Sequence, residues 1–321
     1  MKEIIKISVG ELAEYAFQSG DLNLEVFTSS NRAVSGIRVH QKIQRSRPEE
    51  YQKEVFISRQ FETENFIVEI NGRIDGIFVF PDKTIIEEIK TTERKLEYYQ
   101  NNENPVHRAQ VNIYAYLYAI ANDLKEIETH LTYYRLETKE IREFTKIFSK
   151  NELEDFFNLL FDKFLKWTNR LFEYKNLRNE SIQNLKFPFE KYRLGQHKMA
   201  TEVYKTVRDS GQLIVQAPTG IGKTLAVIFP AIKSFPEKYT TKIFYLTPKT
   251  TGKEVAEKAF RKMNENGLIF KFLTLTAKDK ICFNPENACN GEECKFARGF
   301  YDRIDDALND IFSENSLTRE I

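Results

Sequence analysis

The sequence predicts an α/β protein in two parts, and three observations carry that prediction. Residues 1–172 interleave short β-rich runs with amphipathic helices. From residue 187 onward apolar strands alternate with helices, the βαβ pattern of a parallel sheet. Between them, residues 175–183 are polar and lack a clear period. The expected division is a first domain over 1–175, a linker over 176–186 and a second domain over 187–321.

Each element has its own signal. A strand is expected over 4–9, and Ser8 caps a helix over 11–17 that Gly20-Asp21 ends. A second helix spans 32–43, with Pro48 as its outer limit. A strand over 51–61 follows. The runs 66–70 and 73–78, joined by Asn71-Gly72, predict a hairpin. After a strand over 84–89 comes a helix over 105–121, with Ala109, Ile113, Tyr116, Leu117 and Ile120 largely on one face. Strands over 128–135 and 141–148 and a Phe-rich helix over 153–171 complete the first part. The second part predicts helices over 195–210, 223–232 and 252–265, with strands over 212–216, 242–246 and 270–275.

Composition limits the function. Hydrophobic residues make up 41% and aromatic residues 13%, enough for packed cores and too much for a disordered chain. With 48 Lys and Arg against 47 Asp and Glu, any basic surface must be local. No apolar run approaches the length of a membrane span. Charges at Lys6 and Glu11 break any signal-peptide pattern. The three cysteines lie close together and the rest of the chain has no thiol, which fits a reducing cytoplasm.

Residues Ala217-Pro218-Thr219-Gly220-Ile221-Gly222-Lys223-Thr224 follow an apolar run and open a helix. Glycines there let backbone N–H groups point at phosphate oxygens, and the helix N-terminus adds positive potential. The segment resembles a Walker A loop with Ala at its first glycine, a form similar to that of superfamily 2 helicases. Upstream, Phe187-Pro188-Phe189 and Tyr192-Arg193-Leu194-Gly195-Gln196 resemble the adenine-recognition segment of XPD/DinG-type DNA helicases. The resemblance implies a partial P-loop (RecA-like) domain that binds ATP. It gives Lys223 to the β- and γ-phosphates, Thr224 to Mg²⁺, and Arg193 and Gln196 to the adenine.

Cys282, Cys289 and Cys294 follow the pattern Cys-x6-Cys-x4-Cys. An odd number at this spacing is a poor disulfide framework, and a zinc site more often begins with a shorter gap. Their position resembles that of the iron–sulfur insertion of the same helicases, which implies a 4Fe-4S cluster whose fourth cysteine lies outside these residues. No Asp-Glu-x-His box or second motor domain follows. The resemblance therefore covers 187–321, and the chain reads as the front of a longer helicase.

The first part carries a separate constellation. Asp75 follows Gly72-Arg73-Ile74, and Glu88 and Lys90 lie two apart on the next strand and so share a face. If the strands pair, two carboxylates meet and can hold a divalent cation through oxygen, with a lysine beside the attacking water. Gln110 and Tyr114 share one face of the following helix, and His40 lies on an earlier one. This order resembles the RecB-like branch of PD-(D/E)XK nucleases, directly over residues 30–125. The resemblance implies a restriction-endonuclease-like α/β/α core over 1–175. It makes His40, Asp75, Glu88 and the Ile89 carbonyl ligands of Mg²⁺ or Mn²⁺, Lys90 the catalytic lysine, and Gln110 and Tyr114 positioning groups.

Together the resemblances imply a metal-dependent DNA nuclease fused to a 5′-to-3′ ATP-driven helicase, acting on single-stranded or branched DNA in repair. Two alternatives stay open. The first part could bind DNA without catalysis, or the cysteine segment could hold zinc and serve protein contacts.

Overall fold

The computed structural model describes residues 2–24, 30–248, 250–314 and 316–317. The chain divides into two compact units, Met1–Asn169 with Glu286–Asp305, and Arg170–Pro285 with Asp306–Ile321. Among the described residues no helix is long and apolar enough to cross a membrane.

In the first unit, β1 (Glu3–Ser8) passes straight into α1 (Val9–Phe17). Ser8 makes the junction. Its hydroxyl accepts the Glu11 N–H, and the Glu11 carboxylate accepts the Ser8 N–H, a reciprocal cap that satisfies two otherwise unpaired donors. Then come α2 (Ser30–Arg45), β2 (Tyr51–Glu62), β3 (Phe66–Val79) and β4 (Thr84–Thr92). The short α3 (Tyr98–Asn101) leads to α4 (Pro105–Asn122), β5 (Glu126–Arg135), β6 (Ile141–Ser149) and α5 (Lys150–Asn184). The ends of α4 are chemically set. The Asn104 side chain accepts the N–H groups of Val106 and His107, Pro105 opens the first turn, and Asp123 closes the helix in a left-handed conformation.

The strands form one mixed six-stranded sheet with β3 at its centre. β2 pairs antiparallel along one edge of β3. β1 takes the other edge over residues 66–71, in parallel, and β4 takes it over 76–79, antiparallel. Residues 72–75 are thus left between two strands that share one edge. β5 adds parallel to β4, and β6 antiparallel to β5. Helices cover both faces. Ile89 packs with Ile43 of α2 and Tyr134, whereas its neighbour Lys90 reaches Gln110 on α4. Phe157 of α5 stacks on Tyr116 of α4 with ring centroids 4.6 Å apart, and Phe61 of β2 lies 4.9 Å away.

The hairpin expected at Asn71-Gly72 does not form. β3 runs through it unbroken, with Gly72 paired to Ile57 and Asn71 to both Ser58 and Ser8. Partners on both edges outweigh the local turn preference. The actual turn lies at 63–65, where the Thr63 hydroxyl and N–H both donate to the Phe66 carbonyl. Gly72 is needed for close approach instead: a Cβ there would lie 2.6 Å from the Tyr114 hydroxyl oxygen. Gly72→Ala is expected to lower stability by about 1–3 kcal/mol through overpacking, measurable by urea unfolding.

The second unit contains α6 (Gln196–Arg208), α7 (Lys223–Lys233), α8 (Thr250–Glu265), β7 (Phe272–Leu273) and α9 (Lys278–Ile281). α10 (Phe300–Ile311), whose residues 300–305 fall in the first unit, and β8 (Ser316–Leu317) follow. Its core gathers Ile182, Leu185, Ile228, Ile232, Phe260 and Met263. The segment expected to be a linker is helical over 176–184, as the end of α5. Ile182 is fully buried in this core, and Lys233 Nζ donates to the carbonyls of Ile182, Gln183 and Leu185, which closes the helix end.

The expected strands over 212–216 and 242–246 are not strands, and that over 270–275 shrinks to β7, which pairs in parallel with β8. Ile214 and Leu246 are 99% and 88% exposed. A strand is held by cross-strand partners, and these apolar runs have none among the described residues. Residues 286–305 belong with the first unit. There Leu22 N–H donates to the Ala297 carbonyl, Tyr301 N–H to the Gly20 carbonyl, and Gly299 N–H to the Asp21 carboxylate.

Candidate active site

The opening on the edge of β3 sets the first site. The last bonded β3–β4 pair there is Gly76 with Glu87, so one step further Asp75 stands opposite Glu88, with both side chains on one face. The Ile89 N–H donates to Asp75 Oδ2 at 2.7 Å rather than to a β3 carbonyl. His40 of α2 brings Nδ1 to 3.3 Å from Asp75 Oδ1. Lys90 Nζ sits 2.8 Å from Glu88 Oε1 and donates to Gln110 Oε1 at 2.8 Å. The Tyr114 hydroxyl lies against Gly72 and is hydrogen-bonded by the Gln110 side chain and the Arg73 backbone. His40, Asp75, Glu88, Lys90, Gln110 and Tyr114 are therefore brought together, from α2, β3, β4 and α4.

The electrostatics follow from burial. Burial, followed by the Asp75 charge, pushes the Glu88 carboxyl up to about 7, against the pull of Lys90 and His40. Burial opposes a charge on Lys90, yet Glu88 and then Asp75 hold its pKa above the usual lysine value. Burial likewise opposes protonation of His40, and the hydrogen bond and charge of Asp75 override it.

The residues fit a divalent cation. Glu88 Oε2 is buried and has no hydrogen-bond partner, a cost that coordination removes. The carboxylates of Asp75 and Glu88 suit a hard ion. Among the described residues no group of three or more His, Cys, Asp and Glu is placed to hold a metal ion. Asp75 and Glu88 alone would leave the other positions of Mg²⁺ to water and substrate phosphate.

Two groups escaped sequence reasoning. Gln44, one helical turn after His40, is 6% exposed, and its Nε2 donates to the Asp75 carbonyl at 3.0 Å and to Glu54 Oε1 at 2.8 Å. The i, i+4 spacing from His40 was the available signal. Glu87, next to Glu88, points the other way into a separate network. It is fully buried, accepts the Thr132 hydroxyl at 2.6 Å and pairs with Arg47, which also reaches Glu143 at 2.7 Å.

In the second unit, Gly220 and Gly222 both have φ of 82°, the left-handed region that only glycine enters freely, and Gly222 caps α7. Ala217, Pro218, Thr219 and Ile221 complete the loop, and Lys223 and Thr224 begin the helix. Lys223 Nζ donates to the carbonyls of Ala217 and Pro218 at 3.1 and 2.8 Å, and Arg193 to that of Gly220. Gln196 is 3% exposed and braces the loop: Nε2 donates to the Gly222 carbonyl, and Oε1 accepts the Arg193 N–H.

The cysteines do not form the expected centre. Cys294 is buried, and Cys282 and Cys289 are half-buried. Cys282 Sγ accepts the Asn284 N–H at 3.4 Å. Cys289 and Cys294 belong to the first unit and Cys282 to the second. Among the described residues they gather with no other ligand into a metal site, so an iron–sulfur cluster finds no support here.

A nuclease-type α/β core followed by a nucleotide-loop unit is the class that fold and site define. The model of the PD-(D/E)XK nuclease superfamily matches residues 11–202, more than half of the chain, and the chain belongs to that superfamily. The DEAD/DEAH box helicase model matches residues 196–315, beginning at Gln196. The chain is 45% identical over 47 residues to "Probable ATP-dependent helicase MJ0942" of Methanocaldococcus jannaschii, a match covering 15% of this chain and 7% of that protein. Among solved structures, "Crystal structure of SSO0001" is similar at 19% identity and a TM-score of 0.34, over 50% of this chain and 77% of that one. The chain thus carries a nuclease-family match followed by a helicase-family match.

Proposed function

We propose that the first unit hydrolyses phosphodiesters in single-stranded or branched DNA, beside an ATP-binding unit of an XPD/DinG-type motor that moves 5′ to 3′ in DNA repair. The observation that carries this is the buried Glu88 Oε2, which has no hydrogen-bond partner among the described residues, on the strand position opposite Asp75, with Lys90 2.8 Å from the same carboxylate. A divalent cation held by Asp75 and Glu88, with His40 bracing Asp75, would supply Lewis acidity at the phosphate. Lys90, fixed between Glu88 and Gln110, orients the attacking water and offsets charge developing on the phosphoryl oxygens. Tyr114 and Gln110 keep the ammonium in place, and Cys282, Cys289 and Cys294 enter no step.

The test uses the full chain with labelled single-stranded and flapped DNA. Mn²⁺ or Mg²⁺ is expected to support cutting without ATP, and EDTA to stop it. Lys223→Ala is expected to weaken binding of a fluorescent ATP analogue at least tenfold, since the ammonium is the loop's charged phosphate contact, while ATP-independent cutting stays unchanged. Cutting that survives EDTA, or nucleotide affinity indifferent to Lys223, overturns the corresponding half.

A further inference from the structure

A groove of about 400 Å³ opens beside the carboxylate site, between α2 and β2, with His40, Gln44, Arg45, Lys53 and Glu54 on its walls. Its inner end is continuous with the site, because His40 contacts the Asp75 carboxylate and Gln44 the Asp75 carbonyl. Arg45 and Lys53 are exposed and make no ion pair among the described residues. Two cations without an ion-pair partner among the described residues therefore line one open cleft next to the carboxylate site.

The groove's carboxylate is tied back. Glu54 stands opposite Asp75 in the β2–β3 register with φ of 55°, a backbone conformation that L side chains rarely adopt within a strand. Its Oε1 accepts from Gln44, and its other oxygen lies 3.9 Å from Arg73 Nε. A departure of this kind persists only where surrounding contacts over-determine it, and Gln44 supplies such a contact. Glu54 is thus engaged by Gln44 and Arg73, whereas Arg45 and Lys53 have no ion-pair partner among the described residues.

We infer that this groove seats the nucleic-acid phosphates adjacent to the scissile one, with Arg45 and Lys53 contacting the strand as it leaves the carboxylate site between α2 and β2. The inference rests on the nuclease reading and adds the side on which the strand runs. The groove suits a phosphate backbone better than an enclosed small ligand. It is open, and its charge lies on two flexible surface cations that match a repeating anion.

Binding of the full chain to fluorescent single-stranded DNA, in Ca²⁺ and across a salt series, tests it. Each phosphate contact on a single strand contributes roughly 0.7 to the slope of log affinity against log salt. Arg45→Ala with Lys53→Ala is expected to lower that slope by about 1.4 and weaken binding roughly tenfold at low salt. Mn²⁺ affinity is expected to stay at the wild-type value. Glu54→Gln, which keeps an acceptor for Gln44 and removes a charge, is expected to tighten binding. An unchanged slope overturns the groove, as does a joint loss of Mn²⁺ and DNA affinity, which would mark a disturbed site rather than lost phosphate contacts. Weaker binding by Glu54→Gln also overturns it. Cleavage is scored separately. A slope that falls in a chain that never cuts DNA removes the nuclease reading and keeps the groove. Cutting with an unchanged slope removes the groove alone.

Discussion

Asp75→Ala is expected to abolish divalent-cation binding and DNA cutting together, whereas Lys90→Ala is expected to spare cation binding and lose cutting. Asp75 is one of two carboxylates at the opening of the sheet, and its oxygens are aimed by the Ile89 N–H and His40. Its loss leaves Glu88, whose burial favours the neutral form. A single weak ligand cannot compete with water for Mg²⁺, so the rate is expected to fall by at least about 10³-fold. Lys90 differs in kind. An ammonium has no lone pair to give a cation, and its contribution is charge aimed at the reacting phosphate. Removing such a group costs about 10²–10³ in kcat. Calorimetric Mn²⁺ titration beside a cleavage assay separates the two. Equal loss of cation binding in both variants would mean that Lys90 holds the carboxylates in place and does no chemistry.

The adjacent glutamates are expected to give opposite phenotypes. Glu87 is fully buried and pairs with Arg47, whose side chain is 19% exposed. Removing one partner of a buried pair leaves the other uncompensated, at about 3–5 kcal/mol. Because Arg47 keeps Glu143 as a partner and some water, Glu87→Ala is expected at the low end, about 3 kcal/mol, or roughly 6–12 °C in the melting temperature of a unit this size. Glu88→Gln removes a charge that burial and Asp75 both disfavour, so its melting temperature is expected to hold or rise while cutting is lost. Thermal melts and cleavage assays on the two variants decide this. A stable Glu87→Ala with impaired cutting would exchange the roles of the two faces.

What was legible in the sequence is what depends on local period. Glu88 and Lys90 share a face because strands alternate, and Gln110 and Tyr114 because helices repeat near four. Those two rules were enough to bring the groups around Asp75. The capping box at Ser8 and Glu11 was half legible, since Ser8 alone suggested the helix start. The Asn71-Gly72 misreading arose because a turn signal competes with pairing on both edges of β3, and pairing is set by residues far along the chain. The polar stretch 175–183 became helix for a similar reason: Ile182 and the carbonyls that Lys233 satisfies gain partners only through tertiary packing. Glu54 and the Glu87–Arg47 network were invisible because each depends on contacts across several elements, and Gln44 offered only its spacing from His40. The strands expected at 212–216 and 242–246 had the right composition and no neighbours to pair with.

The membership of residues 286–305 in the first unit bears on the order in which the chain is made. The Gly20–Leu24 stretch emerges early and waits for Ala297, Gly299 and Tyr301, whose bonds to it cannot form until more than a hundred further residues have followed Asn169. At roughly 5–20 residues per second that delay is on the order of ten to thirty seconds. Meanwhile the Asp21 carboxylate that receives the Gly299 N–H stays in water, and the sheet can form around β3 without it. The residues of the carboxylate centre, all of which precede Asn169, are thus available to pair before residues 286–305 have been synthesised.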